Sequence, residues 1–247
     1  FLLGATAGRT TLNGEGLQHE DGHSHLLSAT IPNCVSYDPC FSYELAVIIQ
    51  NGLERMIKNQ EDVFYYITIM NENYTHPEMP KNINEDIIKG IYKYSENKAK
   101  GPKVQLMGSG VILREVIEAG NILEKDFNVS SSIFSVTSFT EVRRNALDIQ
   151  RWNMLNPDKT EKKSTLDEII VDLESPIITA TDYMKSFAEQ IATFLPNKFI
   201  SLGTDGFGRS DSREALRDFF EVDRNHIVIA ALKALTEKKE IEKSVLL

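Results

Sequence analysis

The sequence predicts an α/β protein with an open, mostly parallel sheet and helices on both faces, and three observations carry that expectation. Short runs dense in β-branched and aromatic residues, such as VFYYITIM (63–70) and SSIFSVTSF (131–139), have the length and chemistry of buried strands. They alternate with longer runs whose apolar residues recur every three or four positions, as in SYELAVIIQNGLERMIKN (42–59) and VILREVIEAGNILEKDF (111–127), which is helical spacing. Glycine or polar residues punctuate each strand end, as in VQLMGSG (104–110). Strand and helix in regular alternation give a parallel layer.

Taken in order, residues 1–11 mix apolar and small residues and lead into a polar loop, and 26–32 is a short apolar segment. CVSYDP (34–39) reads as a strand closed by a turn. Leu45, Ile48, Ile49, Leu53 and Met56 then mark one buried face of a helix for which Ser42 is the expected N-cap. Residues 71–101 are polar, with Pro77, Pro80 and a single amphipathic piece near 85–94, and are expected to separate two units, 1–95 and 102–247. In the second unit Ile112, Val116, Ala119 and Leu123 share a helix face, and a second helix follows over 138–155. Further strand–turn–helix units come from PIITATDY (176–183), KFISLGTDGFG (198–208) and HIVIAALKAL (226–235). Ser210, Asp211 or Ser212 is expected to cap a helix starting near Arg213. Four lysines between 93 and 103 make that stretch the expected site of proteolysis.

A chain of 247 residues is long enough for one large core or two ordinary ones, and 41% hydrophobic with 26% charged residues is the composition of a globular protein in water. The net charge of −9 argues against a phosphate-backbone partner, and no apolar run is long enough to span a bilayer, so neither nucleic acid nor membrane is expected. Two cysteines, Cys34 and Cys40, suggest a reducing compartment, and a cytoplasmic location is expected. The opening at Phe1 without methionine reads as a piece of something longer.

The chemistry is concentrated in NGEGLQHEDGHSH (13–25), which holds three of the five histidines, His19, His23 and His25, among Glu15, Glu20 and Asp21. It offers almost no apolar face and reads as a loop. Three readings stay open on the residues alone. The His19-x3-His23-x-His25 spacing suits zinc; histidines beside carboxylates suit proton transfer near neutral pH; or the loop is merely solvated.

LLGATAGRTTLNGEGLQHEDGHSH (2–25), TIPNCVSYDP (30–39), RWNMLNP (151–157), ATDYMKSFAEQ (180–190) and GTDGFGRSDSRE (203–214) closely resemble the homodimeric pyruvate dehydrogenase component of the bacterial pyruvate dehydrogenase complex. That resemblance implies the end of a pyrimidine-binding domain for thiamine diphosphate in 1–95 and a transketolase-like C-terminal α/β domain in 102–247. It implies decarboxylation of pyruvate and reductive acetylation of the lipoyl group of a dihydrolipoyl acetyltransferase partner, in a homodimer. The family's Glu-x-x-x-His element falls on Glu15 and His19. The shorter G-E-D-G-x-x-H version of the transketolases aligns Asp21 and His25 with substrate-facing residues, and His23 lies between them. The residues that hold magnesium and the diphosphate, and the glutamate that activates the cofactor, are expected outside this chain, and no metal ligand is expected within it. IMNEN (69–73) lacks the arginine that transketolases place there for a sugar phosphate, which favours a small keto acid.

Overall fold

The computed structural model describes residues 1–6, 8–12 and 16–246. Two sheets form. In the first, β1 (Leu2–Thr6) and β2 (Cys34–Tyr37) flank β3 (Phe64–Ile69), both parallel to it. The connections carry α1 (Ser24–Ala29) and α2 (Ser42–Leu53), and α2 runs on into a π-helical turn, Glu54–Lys58. Ile48 of α2 and Ile87 of α3 (Asn84–Lys89) bury against Val35, Tyr65 and Ile67 of the strands. Gly52 faces the Tyr65 ring, where a Cβ would stand 3.3 Å from its carbons.

The second sheet has the order β4-β6-β5-β7-β8. Its parallel members are β5 (Lys103–Gly108), β6 (Ser130–Ser135), β7 (Ile177–Ala180) and β8 (Phe199–Leu202). The antiparallel edge is β4 (Tyr92–Glu96). Side chains alternate across the pleat. Val104, Leu106, Ile178 and Ala180 meet α4 (Ile112–Phe127) and α9 (Arg224–Glu237) on one face. Met107 and Ile177 meet α5 (Phe139–Leu155), α6 (Thr165–Ile169) and α7 (Lys185–Glu189) on the other. The helical period predicted for Ile112, Val116, Ala119 and Leu123 puts all four in the core, where each large aliphatic side chain contributes about 1.5–3 kcal/mol. Between β8 and α9, α8 (Arg213–Phe219) is capped by Ser212, whose Oγ accepts the Ala215 N–H, as expected for that segment.

Several elements differ from the sequence expectation. Residues 92–96 belong to no helical piece or loose linker: they pair with β6, and Lys93 and Lys103 are both ion-paired to Glu96. The helix over 42–53 is capped by neither Ser42 nor any hydroxyl. Glu44 reaches back to accept the Cys40 and Phe41 N–H groups at 2.6 and 2.8 Å, and His76 Nδ1 accepts the Ser42 N–H at 3.0 Å. The end of the histidine stretch is the first turn of α1 rather than loop. Both cysteines are buried free thiols.

Candidate active site

Chain direction places the site. From the central β5, one crossover leads to β6 on one side and the next returns to β7 on the other, so the carboxyl ends of β5 and β7 bound the crevice where open α/β sheets take their ligands. Here the first unit fills that crevice. Asp38, just past β2, accepts from Ser109 Oγ at the end of β5 at 2.9 Å. Asp182, just past β7, accepts the Thr10 N–H at 3.0 Å and the Thr11 hydroxyl at 2.7 Å. A buried carboxyl at each strand end thus fastens the loops of one sheet to the other.

The loop entering the site is tightly constrained. Gly8 has φ +73° and sits so close on the Asp182 carboxyl that a side chain there has no room. The Arg9 side chain, 2% exposed, donates from Nη1 to the Thr204 carbonyl and from Nη2 lies 3.4 Å from both ring nitrogens of His23. A Cβ on Gly22 would stand 2.5 Å from the Arg9 guanidinium carbon. Arg213 Nε donates to the Thr11 carbonyl at 2.8 Å, and Arg217 Nε to Thr10 Oγ1 at 3.3 Å.

The predicted site residues separate into an exposed group and a buried one. His19 closes a short 3-10 turn, Leu17–His19, and is exposed. His23 is exposed at the N-cap of α1. Asp21 caps that helix: Oδ1 accepts the His23 and Ser24 N–H groups at 2.9 and 3.0 Å, and Oδ2 accepts the Ser24 hydroxyl. His25 is fully buried in α1, stacked on Phe187 at 4.8 Å and edge-on to Tyr183 at 4.7 Å and Tyr66 at 5.3 Å. Burial in that aromatic box lowers its pKa to about 3, so the ring is neutral at any working pH. Its Nε2 lies 2.9 Å from Thr68 Oγ1, and Nδ1 meets no hydrogen-bond partner among the described residues. Glu15 lies outside the described residues.

Sequence reasoning passed over the residues around this group. Glu20 is buried, accepts the Arg209 N–H through Oε2, and has its pKa raised by loss of solvent. Asp38 is fully buried, bound by Thr68 Oγ1 at 2.7 Å and by Ser109, and burial pushes its pKa to about 7. Burial likewise raises Asp182 to about 6. The usable signal was position, since Asp38 and Asp182 each follow directly on a predicted strand. IMNEN has no basic residue of its own, but Arg213 reaches it from α8, with Nη2 donating to Asn71 Oδ1 at 3.1 Å.

The histidine stretch assembles no metal-ligand group among the described residues. The one such grouping there, Asp218, Asp223 and His226, lies at the junction of α8 and α9, where Asp223 caps α9 by accepting from the His226 N–H and Nδ1.

Residues 1–77 match the family described as the pyruvate dehydrogenase E1 component middle domain, and residues 90–223 match the transketolase-like TK C-terminal domain. The pyruvate dehydrogenase E1 components of Cupriavidus necator and Pseudomonas aeruginosa are 56% and 57% identical to this chain over 98% and 99% of it. That of Escherichia coli is 56% identical over 99%. The chain spans only 27–28% of the length of these relatives. Among solved structures, transketolase from Campylobacter jejuni superposes with a TM-score of 0.66 at 15% identity, covering 94% of this chain and 31% of that one. Transketolase from Leishmania mexicana gives 0.68 at 14%, covering 94% and 30%. At that identity the likeness establishes the transketolase-like α/β fold and nothing about substrate.

Proposed function

The chain belongs to the transketolase-like family through its C-terminal domain, and from that premise we propose that it is part of a thiamine-diphosphate-dependent pyruvate dehydrogenase. The whole enzyme decarboxylates pyruvate and passes the acetyl group to the lipoyl group of a dihydrolipoyl acetyltransferase partner. The observation that carries this reading is identity of 56–57% to three pyruvate dehydrogenase E1 components across nearly all of this chain. A homodimer, a cytoplasmic location, magnesium bound by residues outside this chain, and a division into units 1–95 and 102–247 belong to the same proposal.

Thiamine diphosphate, when bound, supplies an acidic ring carbon that adds to the keto group and an electron sink for the bond broken on loss of carbon dioxide. The residues here fit the proton traffic of such a reaction rather than the diphosphate. Arg9, the guanidinium within the loop, is already held by Thr204 and His23. The imidazoles of His19 and His23 are exposed, and histidine is the side chain most often used for acid–base work. Glu20, with its raised pKa, adds a carboxyl on the same wall, and Glu15 and Asp21 complete the candidate set. His25, locked neutral, serves as a hydrogen-bonding group and not as a proton donor.

In the whole protein with thiamine diphosphate and magnesium, pyruvate should release carbon dioxide and a lipoyl domain should become acetylated. Turnover of ketose phosphates without pyruvate decarboxylation would replace this reading with a ketol transferase. His19→Ala in the whole protein should lower turnover by about two to four orders of magnitude, the effect of removing an acid–base group. Wild-type turnover would return His19 to the status of a loop residue. Calorimetry on the isolated 247-residue chain with thiamine diphosphate and magnesium should show no saturable heat, and micromolar binding would place the main ligands inside it.

A further inference from the structure

The buried polar chain behind the candidate site has a direction, which can be worked out from its acceptors. Thr68 carries one hydroxyl proton and has three polar atoms at hydrogen-bond distance, Asp38 Oδ1 at 2.7 Å, His25 Nε2 at 2.9 Å and the Tyr37 carbonyl at 3.3 Å, with the buried Tyr183 hydroxyl also against it. The carboxyl oxygen is the shortest and strongest acceptor. With that proton committed to Asp38, only the lone pairs of Thr68 are left for His25, so His25 must present an N–H at Nε2. Because burial keeps the ring neutral, it carries one ring proton and Nδ1 is bare.

We propose that Asp38 is a positioning residue which, by holding the Thr68 hydroxyl as a donor, confines His25 to its Nε2–H tautomer and leaves Nδ1 as a lone-pair acceptor. The inference rests on the reading of the 16–25 wall as part of an active site, and deepens it. His25 would there receive a hydrogen bond from a hydroxyl, amide or protonated group and would have no proton to give.

The arrangement survives protonation of Asp38. Its Oδ2 faces Ser109, whose own hydroxyl has an outlet in Thr181 Oγ1 at 3.1 Å. A proton arriving on Asp38 is therefore accommodated on Oδ2: it is donated to Ser109, Ser109 turns to Thr181, and Oδ1 goes on accepting from Thr68. On the Thr68 side the alternative acceptor is the more distant Tyr37 carbonyl. The other titratable groups around Asp38 are Asp182 and Glu44, and the Tyr183 hydroxyl against Thr68 can donate only to a Thr68 lone pair, which leaves the Thr68 proton on Asp38.

Neutron diffraction on deuterium-exchanged crystals of the whole protein reads the ring proton directly, whether or not pyruvate is the substrate. The expected result is deuterium on Nε2 of His25 and none on Nδ1, at pH 6 and pH 8 alike. Thr68→Ser should keep that pattern, and Thr68→Val should move deuterium to Nδ1 or divide it between the two nitrogens. Deuterium on Nδ1 in the unaltered protein, or an unchanged ring in Thr68→Val, would overturn the proposal. Turnover gives a second reading: Thr68→Val should lower kcat on the order of tenfold or more and Thr68→Ser should restore most of it, because a wrong tautomer is costly while the fold is kept. Equal losses in the two variants would also overturn it. Failure of the pyruvate assay with the unaltered protein would instead remove the functional reading and leave the deuterium result standing.

Discussion

Asp38 and His25 lie on one hydrogen-bonded chain yet respond to pH in opposite senses. Asp38 has its pKa raised from 3.8 to about 7 by burial. Folding therefore takes up a proton between those values, and the contribution of Asp38 to stability falls as pH rises through that window and is flat above it. His25, lowered from 6.5 to about 3, must shed a proton to fold, so its contribution is lost as pH falls through 6.5 towards 3. Asp38→Asn should remove the first term alone. Denaturation of mutant and parent from pH 4 to 8 should show the mutant gaining relative stability by a few kcal/mol between pH 4 and 7, with no change beyond. A difference independent of pH would mean that Asp38 ionises as it does in water. At this scale the sequence was legible in part. The clustering of His19, Asp21, His23 and His25 singled out the candidate site, but a loop without an apolar face gave no hint that His25 ends in an aromatic box. The residues that build the box, Tyr66, Tyr183 and Phe187, are remote in sequence and read as ordinary core.

Among the elements, the long helices α2, α4 and α5 were legible, because each carries a face that must be buried, whereas HIVIAALKAL, expected to supply a strand–turn–helix unit, is helix throughout within α9. Short elements escaped for the opposite reason. β4, α6 and α7 have five residues each, too few to display a period, and they are fixed by partners far along the chain. The turn between α3 and β4 shows how such contacts decide. Gly90 ends α3 with φ +101°, its N–H bonded to the Asp86 carbonyl at 3.0 Å, and its carbonyl accepts the Ser138 N–H at 3.1 Å. A Cβ at Gly90 would lie 2.5 Å from the Ser138 carbonyl oxygen and 3.0 Å from Val142. Gly90→Ala thus meets both left-handed backbone strain and a backbone clash, and should destabilise the protein by about 2–4 kcal/mol in chemical denaturation. A loss under about 1 kcal/mol, the ordinary cost of a surface substitution, would show that α3 and the start of α5 can move apart.

At the scale of the whole molecule, the sequence suggested two units that separate readily, because 71–101 is polar and unpatterned. The surfaces facing each other across that segment are linked by buried polar contacts that no local pattern announces. Glu44, packed on the first sheet, accepts from Tyr92 and Ser135 of the second sheet, both at 2.6 Å. Asp38 joins Ser109, and Asp182 joins Thr10 and Thr11. Glu72 is clasped by Arg114 at 2.6 Å and Arg217 at 2.5 Å, and Arg217 is itself 8% exposed. Pulling the units apart would strand several buried carboxylates and a guanidinium, and removing one partner of a buried ion pair alone costs about 3–5 kcal/mol. Limited proteolysis should then cut within 71–82, which lacks regular structure, with Lys81 the trypsin site. The lysines at 93 and 103, held in β4 and β5 and paired to Glu96, should resist. The two fragments should stay associated through size exclusion under native conditions and part only in denaturant. Release of a folded C-terminal piece without denaturant would mean that the polar contacts between the sheets contribute less than the covalent link does, and that each sheet closes a core sufficient for itself.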